Sequence, residues 1–438
     1  MFYAGHGIGG PVFLPPESHL LVLGPPRSGK TRSIVIPNIL LAPGPVIATS
    51  TKSDLVEATS RERSKSGRVI AIDPSGSVPL SEDVERRYWS PIDPTGTYSD
   101  AIAVTRAMID ASILMDGGRG GYSHWIERSA SLVAPLIHAA QIAGYEMDTL
   151  MVWLNRRECR DPAGILKACG EEMALDSLGS VMLCEERERS GIFSTAVGLL
   201  GSFNFPEVHQ QDHLARFDSR EFLNSNDTLY VVSPSHIQKL IAPVLVGMID
   251  EVKNRSFQMS ADPRRDHGRQ PLSLILDEMA NIAPLGSINS ILSEGASQKV
   301  MLLGALQDLS QARTRWGRSA EGFLTLFGST LVFPGISDLA SLHQLSAISG
   351  EIQFDSISRS YSGSLLGRFT GPRGLTKSTG SRPALEPWQI ARSKGGQGFL
   401  FRRAHEVRRV TLTAFDELGL TAASSRDRYC FQDRNRSI

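Results

Sequence analysis

The stretch that decides the fold reads His19-Leu-Leu-Val-Leu-Gly-Pro-Pro-Arg-Ser-Gly-Lys-Thr31. Its first five residues predict a short buried strand, and the loop that follows has the spacing GxxxxGK(S/T). Glycines let such a loop wrap closely, so that successive backbone N–H groups point at phosphate oxygens, and the next helix adds its positive N-terminal dipole. The stretch therefore predicts the phosphate-binding loop of a nucleoside triphosphatase, with a glycine turn and a surface lysine as the alternative.

The nucleotide is expected to lie against every residue of this loop. Lys30 is expected to reach the β- and γ-phosphates, and the hydroxyl of Thr31 is expected to bind Mg²⁺. ATP and Mg²⁺ are therefore the predicted cofactors. The residues predicted to bind them are Gly24, Pro25, Pro26, Arg27, Ser28, Gly29, Lys30, Thr31 and Arg32.

Two carboxylates follow a second apolar run, Leu274-Ile-Leu-Asp-Glu278. In open α/β sheets, ligands bind at the carboxyl ends of the strands, which is where these side chains emerge. Asp277 is predicted to bind Mg²⁺ through water, and Glu278 to position or deprotonate the attacking water. A solvated turn with two acids is the alternative.

Other polar residues follow apolar runs that end at the same edge of the sheet. Gln307 ends the run 300–306, where a neutral amide would sense the γ-phosphate and relay its loss; an ordinary loop glutamine is the alternative. Lys52 and Asp54 follow the run 45–49, and a solvated turn explains them equally well. The predicted catalytic residues are Lys30, Glu278 and Gln307.

Short apolar runs alternate with helical patterns over most of the chain. Such alternation predicts an α/β fold whose mostly parallel sheet is covered by helices on both faces. Between about residues 100 and 200 the pattern is helical and strand-like runs are scarce, which predicts an inserted all-α domain. The predicted strands are 19–23, 45–49, 68–72, 228–233, 272–277, 300–306, 331–333, 398–401 and 410–412.

These patterns divide the chain into four parts. Residues 1–98 form the first part of a P-loop nucleotide-binding domain, 99–215 an all-helical insertion, 216–418 the remainder of the nucleotide-binding domain, and 419–438 a C-terminal tail. The stretch 356–381 is rich in Ser, Gly and Arg and predicts a loop or a disordered segment.

The composition limits the class of protein. With 46 Lys and Arg against 46 Asp and Glu, the chain of 438 residues is not expected to be coated in nucleic acid, although a local basic surface remains possible. The basic stretch 359–409 predicts either such a DNA-binding surface or a solvated charged face. Four cysteines without a CxxC pair predict reduced thiols in a cytosolic protein. No signal peptide and no apolar run long enough for a membrane helix is present, so the chain is expected to be soluble.

Three segments together resemble the coupling ATPases of type IV secretion and conjugation, the TraG/TraD family. They are GPPRSGKTRSIVIPNILLAPGPVIATSTKSDL at 24–55, LILDEMANIAPLGSINSILSEG at 274–295 and ALQDLSQARTRWG at 305–317. The resemblance extends from residue 20 to about residue 418, and its detail is most similar to actinobacterial members.

The resemblance implies a RecA-like P-loop NTPase domain in a homo-hexameric ring around a channel. Such rings use ATP to move single-stranded DNA, linked to a relaxase, toward the proteins of a secretion channel, and the helical insertion reads the relaxase–DNA substrate. Lys30 and Thr31 match the Walker A pair, Asp277 and Glu278 the Walker B pair, and Gln307 the sensor glutamine.

Two departures from the family pattern matter. Ala296 stands where related ATPases carry an arginine that serves the neighbouring subunit, so either Lys299, Arg313 or Arg315 takes this role or hydrolysis is slow. Most members also begin with membrane helices, whereas this chain begins just before the first strand of the P-loop unit. We therefore expect a cytoplasmic protein at the inner face of the cell membrane, held there by an anchor outside this sequence or by a partner.

Three functions stay open at this point. The first is a DNA-translocating ATPase of the coupling type. The second is a recruitment module that binds nucleotide but hardly hydrolyses it, which the alanine at position 296 favours and the intact acidic pair disfavours. The third is a pump for double-stranded DNA of the FtsK/HerA type, which the helical insertion disfavours.

Overall fold

The computed structural model of the chain describes residues 1–93, 96–117, 123–204, 211, 213–262, 268–360, 374–403 and 407–418. Its centre is a twelve-stranded sheet in the order β2-β1-β14-β13-β10-β3-β9-β8-β4-β7-β5-β6, and β11 and β12 form a separate two-stranded hairpin. The strands are β1 (Tyr3–Gly7), β2 (Gly10–Phe13), β3 (Leu20–Leu23), β4 (Val46–Ser50), β5 (Val69–Ile72), β6 (Glu85–Arg86), β7 (Thr228–Val232), β8 (Leu272–Leu276), β9 (Val300–Leu306), β10 (Ser329–Val332), β11 (Glu351–Ser360), β12 (Gly374–Pro383), β13 (Gln397–Arg402) and β14 (Arg408–Thr411).

Parallel pairing joins the strands from β10 to β6 in this order, and antiparallel pairing adds β13, β14, β1 and β2 at one side. The sheet is buried on both faces, because alternate residues of β3 belong to different cores. Leu21 and Leu23 pack into the core that includes the helical insertion, whereas Leu20 and Val22 pack into the core on the other face. Strands that are buried on both faces consist of continuous apolar runs, as in β3, β8 and β9.

Helices cover the sheet and form the insertion between β6 and β7. A π-helical turn, Thr31–Val35, leads directly into α1. The helices are α1 (Ile36–Leu41), α2 (Asp54–Arg63), α3 (Tyr98–Met115), α4 (Ser123–Ala143), α5 (Met147–Arg156), α6 (Arg160–Ala168), α7 (Glu172–Met182), α8 (Glu186–Leu199), α9 (Ser219–Leu223), α10 (Gln238–Ala261), α11 (Met279–Ile282), α12 (Ile288–Glu294), α13 (Leu309–Trp316), α14 (Phe323–Leu326), α15 (Leu339–Ile348), α16 (Pro387–Ala391) and α17 (Phe415–Leu418), with 3₁₀ turns at Gly201–Asn204 and Gly317–Gly322.

The longest helix of the insertion, α4, contains a proline. Pro135 has no N–H to donate to the carbonyl of Ser131, one turn earlier. The hydroxyl of Ser177 in α7 donates to this carbonyl instead, at 3.2 Å. A contact between helices therefore replaces the missing contact within the helix, and α4 continues through the proline.

The predicted fold class, an α/β domain with a mostly parallel sheet and an inserted block of helices, is confirmed. Every strand predicted from the sequence is present, with ends that differ from the prediction by at most two residues. Strands β1, β2, β6, β11 and β12 were not predicted. The division into domains stays a prediction, and the tail 419–438 lies outside the described residues. None of the helices in the described ranges is both long and apolar enough to cross a membrane.

The prediction of a loop or disordered segment at 356–381 is wrong at both ends. Residues up to Ser360 belong to β11 and those from Gly374 to β12, and the two strands pair in register from Glu351 with Pro383 to Ser360 with Gly374. Cross-strand hydrogen bonds satisfy the backbone of this Ser- and Gly-rich sequence, and composition alone does not reveal such pairing. Residues 361–373 lie outside the described residues.

One buried arginine connects three segments that lead into the parallel strands. Arg63, at the end of α2, is 3% exposed. Its guanidinium donates to the hydroxyl of Thr228 at 2.7 Å and to the carbonyl of Ala42 at 2.8 Å. It also donates to the carbonyls of Gly44 at 3.0 Å and Asn226 at 2.9 Å. The planar fork of five donors matches these four acceptors in a way that an ammonium group does not.

We expect Arg63→Met to lower the free energy of unfolding by about 3 kcal/mol or more, because it leaves several buried acceptors without donors. Urea-induced unfolding measures this change. Arg61→Met, on the exposed face of the same helix, is the control and is expected to change the free energy by less than about 0.5 kcal/mol. Equal unfolding midpoints for the two variants would show that the arginine does not hold these segments together.

Candidate nucleotide site

The phosphate loop, residues 24–31, joins the carboxyl end of β3 to the π-helical turn. The backbone N–H of Gly24 donates to the carbonyl of Leu306 in β9 at 3.1 Å, which fastens the loop to the neighbouring strand. A Cβ atom at Gly24 would lie 2.6 Å from the Cβ of Phe333, so a larger residue does not fit there. Arg27 and Gly29 have φ angles of 61° and 94°, and these left-handed conformations curl the loop.

Lys30 folds back over this loop. Its ammonium group donates to the carbonyl of Pro25 at 3.0 Å and also to the carbonyl of Gly24. Burial lowers the pKa of Lys30, while the nearby carboxylates of Asp277 and Glu278 act in the opposite direction. A partly desolvated ammonium group beside a phosphate-sized space interacts strongly with anionic oxygens.

Thr31 and Asp277 meet at the carboxyl ends of β3 and β8. The Thr31 hydroxyl donates to Oδ2 of Asp277 at 2.7 Å, and the Thr49 hydroxyl, from β4, donates to the Asp277 backbone carbonyl at 2.9 Å. Burial raises the pKa of Asp277, and the Thr31 hydrogen bond and the charge of Lys30 oppose that shift. A hydroxyl and a carboxylate oxygen side by side fit Mg²⁺, which prefers oxygen ligands and few protein contacts.

Glu278 has an unusual backbone conformation. Its φ of 51° and ψ of 46° place it in the left-handed region, which a non-glycine residue adopts only at a cost in free energy. The residue is exposed, stands at the N-terminus of the short helix α11, and accepts a long hydrogen bond from the amide of Asn281 at 3.5 Å. The strained turn directs the chain away from the sheet immediately after Asp277.

Gln307 follows β9, which lies between β3 and β8 in the sheet. This order places the glutamine between the phosphate loop and the acidic pair. Its backbone N–H donates to the side-chain oxygen of Gln311 at 2.8 Å. Gln311 therefore also belongs to the site. No role was predicted for it from the sequence, although it is the second glutamine of the family-like segment 305–317.

A cleft of about 440 Å³, which we call the nucleotide cleft, joins these groups. The predicted residues Pro26 to Arg32, Asp277, Glu278 and Gln307 line it, together with Lys52, Asp54 and Gln311. Gly24 and Pro25 contribute the carbonyls that hold Lys30. The structure therefore brings together the site residues predicted from the sequence, while their catalytic and binding roles stay predictions.

Arg32, the cation that follows the phosphate loop, forms an ion pair with Asp416. Nε of Arg32 donates to Oδ1 of Asp416 at 3.1 Å, and a second contact joins Nη2 of the arginine to Oδ2. Asp416 lies in α17, so the C-terminal segment reaches the rim of the nucleotide cleft. The sequence alone gave no indication of this contact between residues 384 positions apart.

The three cations considered as substitutes for an arginine at position 296 are engaged within their own chain. Lys299 donates to the carbonyl of Arg269 at 3.1 Å. Arg313 pairs with Asp338 at 2.6 Å. Arg315 donates at 2.7 Å to a carbonyl at the end of α3, and burial lowers its pKa. None of the three belongs to the lining of the nucleotide cleft as far as the structure describes it.

The fold, the phosphate loop and the acidic pair define the class of RecA-like P-loop NTPases. Within this class, the family model for type IV secretory system conjugative DNA transfer matches residues 2–401. The chain therefore belongs to that family, as the resemblance of its three segments predicted.

Curated relatives agree with this assignment. The chain is 24% identical over 324 residues to conjugal transfer protein TraG of Escherichia coli, a match covering 68% of this chain and 49% of TraG. It is also 24% identical over 365 residues to protein VirD4 of Rhizobium rhizogenes, covering 79% of this chain and 51% of VirD4. The chain spans about half the length of the curated relatives it matches.

Solved structures share the fold. The unbound monoclinic form of the bacterial conjugative coupling protein TrwBdeltaN70 has a TM-score of 0.70 at 18% identity, over 94% of this chain and 88% of that one. The plasmid coupling protein TrwB in complex with ADP and Mg²⁺ has a TM-score of 0.65 at 17% identity, over 91% and 86% of the two chains.

We expect Lys30→Met to weaken binding of an ATP analogue on the order of 100-fold, because two charge-assisted hydrogen bonds to phosphate are lost. Isothermal titration calorimetry with Mg²⁺ measures the affinity, and a thermal melt checks the folding of each variant. Lys52→Met is the matched comparison, since this lysine lines the same cleft, and we expect it to lower the affinity less than about tenfold. A larger loss for Lys52 than for Lys30 would contradict the assignment.

Proposed function

We propose that this protein hydrolyses ATP in the nucleotide cleft and uses that reaction to move single-stranded DNA, linked to a relaxase, to a type IV secretion channel. The observation that supports the proposal best is the contact between Thr31 and Asp277, with Glu278 and Gln307 around the same cleft. A phosphate loop alone would serve nucleotide binding, whereas a second carboxylate beside the first supplies the group that hydrolysis needs.

Each residue of the site has a part in this reaction. Lys30 would exchange its loop carbonyls for phosphate oxygens, and the Thr31 hydroxyl and the Asp277 carboxylate would hold Mg²⁺. The metal, when bound, neutralises charge on the phosphates. Glu278 accepts a hydrogen bond from the attacking water and takes its proton as the water oxygen bonds to the γ-phosphorus; the bond from this phosphorus to the bridging oxygen breaks, so that ADP and phosphate leave. Gln307 contacts the γ-phosphate. Because it connects the end of β9 to α13, loss of that phosphate would change the position of α13.

The basic stretch 359–409 is the proposed DNA surface, and part of it lies on the β11–β12 hairpin. Lys377 pairs with Asp355 at 2.9 Å, and the guanidinium of Arg382 lies 5.8 Å from the centre of the Phe354 ring. Both cations are at the surface of a hairpin that stands outside the main sheet. Binding through such contacts weakens steeply with salt, because released counterions dominate the affinity.

The family and the fold suggest the partners. We propose a homo-hexamer, in which the relaxase–DNA complex meets the helical insertion and the secretion-channel proteins receive the DNA. We propose a cytoplasmic location at the inner face of the cell membrane, with contact through an anchor outside this sequence or through a partner. TraG, which is named a conjugal transfer protein, and TrwB, which is named a conjugative coupling protein, support this setting.

A recruiter with little hydrolysis is the second candidate, and the alanine at position 296 favours it. Against it, both carboxylates and the glutamine line one cleft. A pump for double-stranded DNA is less favoured, because the insertion of helices between β6 and β7 accords with the coupling family.

We expect single-stranded DNA to stimulate ATP hydrolysis by the wild type, and Glu278→Gln to lower turnover about 100-fold or more while ATP binding persists. A coupled assay of phosphate release and a filter-binding assay measure the two quantities. Glu57→Gln, an exposed change on α2 outside the nucleotide cleft, is the matched control.

Two other results would change the conclusion. A wild type that binds ATP but turns over no faster than Glu278→Gln, with DNA present, would favour the recruiter. Stimulation by duplex DNA alone would favour the double-stranded pump.

A further inference from the structure

A second cleft, of about 410 Å³, lies at the edge of the sheet opposite to the phosphate loop. We call it the arginine cleft. It is formed where β3 and β10 begin and β13 ends, because β13 runs antiparallel and pairs Arg402 with Ser329, the first residue of β10. Residues of its lining that matter here are Glu17, His19, Ala296, Arg402 and Arg403.

No partner of Arg402 is found among the residues that the structure describes. Arg402 is half-buried, and among the residues that the structure describes its guanidinium makes no ion pair or hydrogen bond. Burial lowers the pKa of Arg402, and the positive charge of Arg408 lowers it further. A partly desolvated guanidinium beside another cation is costly unless an anion arrives to pair with it.

The neighbours of Arg402 leave the cleft positive. Arg403 is held in place, since its Nε donates to the carbonyl of Thr325 at 3.1 Å. The buried ring of His19 accepts a hydrogen bond at Nδ1 from the N–H of Leu302, and burial lowers its pKa to about 4. This ring is therefore neutral near pH 7, so its proton is on Nε2, where no partner is found among the described residues. As far as the structure describes the lining, Glu17 is its one acid, against two guanidinium groups.

The arginine cleft also contains position 296. Family resemblance leads us to expect an arginine there that serves the neighbouring subunit, and this chain has Ala296 instead. Ala296 lies in the turn between α12 and β9, whereas Arg402 is the last residue of β13, and both line this cleft. A guanidinium is thus available in the same cleft even though the expected position lacks one.

We propose that Arg402 contacts the nucleotide phosphates held by a second copy of this chain, in the role that the family resemblance assigns to position 296, with Arg403 as its fixed neighbour. The inference rests on the proposed ATPase function. Arg402 cannot reach the nucleotide bound by its own chain, because the length of β3 alone separates the two edges of the sheet by about 13 Å. The nucleotide cleft and the arginine cleft lie at opposite edges of the sheet, so the nucleotide cleft of one copy would face the arginine cleft of the next. Such a head-to-tail interface joins two different surfaces and can close into a ring.

The first test compares Arg402→Ala with the wild type in ATP hydrolysis. Turnover is expected to fall on the order of 1000-fold, as for the loss of an arginine finger. At low protein concentration, the affinity of the variant for an ATP analogue is expected to stay within about twofold of the wild-type affinity, because the variant leaves the phosphate loop intact. Arg61→Ala, which removes an exposed arginine from α2, is the control and should hydrolyse ATP like the wild type.

The decisive test mixes two inactive variants. Lys30→Ala copies have a disabled phosphate loop but an intact Arg402, whereas Arg402→Ala copies have the reverse. In an equal mixture, about one interface in four joins an intact loop to an intact arginine. We therefore expect turnover to return to roughly a quarter of the wild-type value.

Each contrary result is distinct. A mixture that stays inactive would place the action of Arg402 within its own chain and overturn the proposal. Wild-type turnover by Arg402→Ala would also overturn it, and would leave the ATPase function standing. A loss of DNA affinity without rescue by mixing would make the cleft a nucleic-acid site instead. No turnover by the wild type itself would count against the proposed ATPase function.

Discussion

The hydrogen bond between the Thr31 hydroxyl and the Asp277 carboxylate depends on the whole sheet, because it joins residues 246 positions apart. It forms only if β3 and β8 stand in one parallel sheet with β9 between them, and if their carboxyl ends lie level. Thr49 adds a constraint from the next strand by holding the backbone of Asp277. The meeting of these side chains at one edge of the sheet is therefore a direct consequence of strand order.

The two faces of the sheet explain how this edge is kept rigid. Alternate residues of the buried strands pack into separate cores, one shared with the helical insertion and one with the helices beside the phosphate loop. Arg63 donates hydrogen bonds to the segments that precede β4 and β7 and so holds the two segments together. The side chains that we propose contact the nucleotide thus project from a firmly packed frame, so we expect little reorganisation on binding.

The sequence predicted what local patterns encode. The phosphate loop, the acidic pair and the buried parallel strands are short runs with their own signal, and the structure has them where they were expected. Strands β1 and β2 escaped because their residues are glycine-rich or half-buried and β1 pairs with β14, about four hundred residues away. The β11–β12 hairpin escaped because its Ser- and Gly-rich composition does not reveal that the two strands pair. The cleft around Arg402 depends on three strands meeting, which no window of sequence contains.

The backbone of Glu278 has a consequence for how such a protein changes over generations. Glycine adopts the left-handed conformation freely, so a glycine at position 278 would relieve about 1 kcal/mol of strain. Selection for stability alone would favour that replacement. If Glu278 serves hydrolysis as proposed, a glutamate at this turn marks a position where the chain keeps a functional carboxylate although a more stable molecule lies one substitution away.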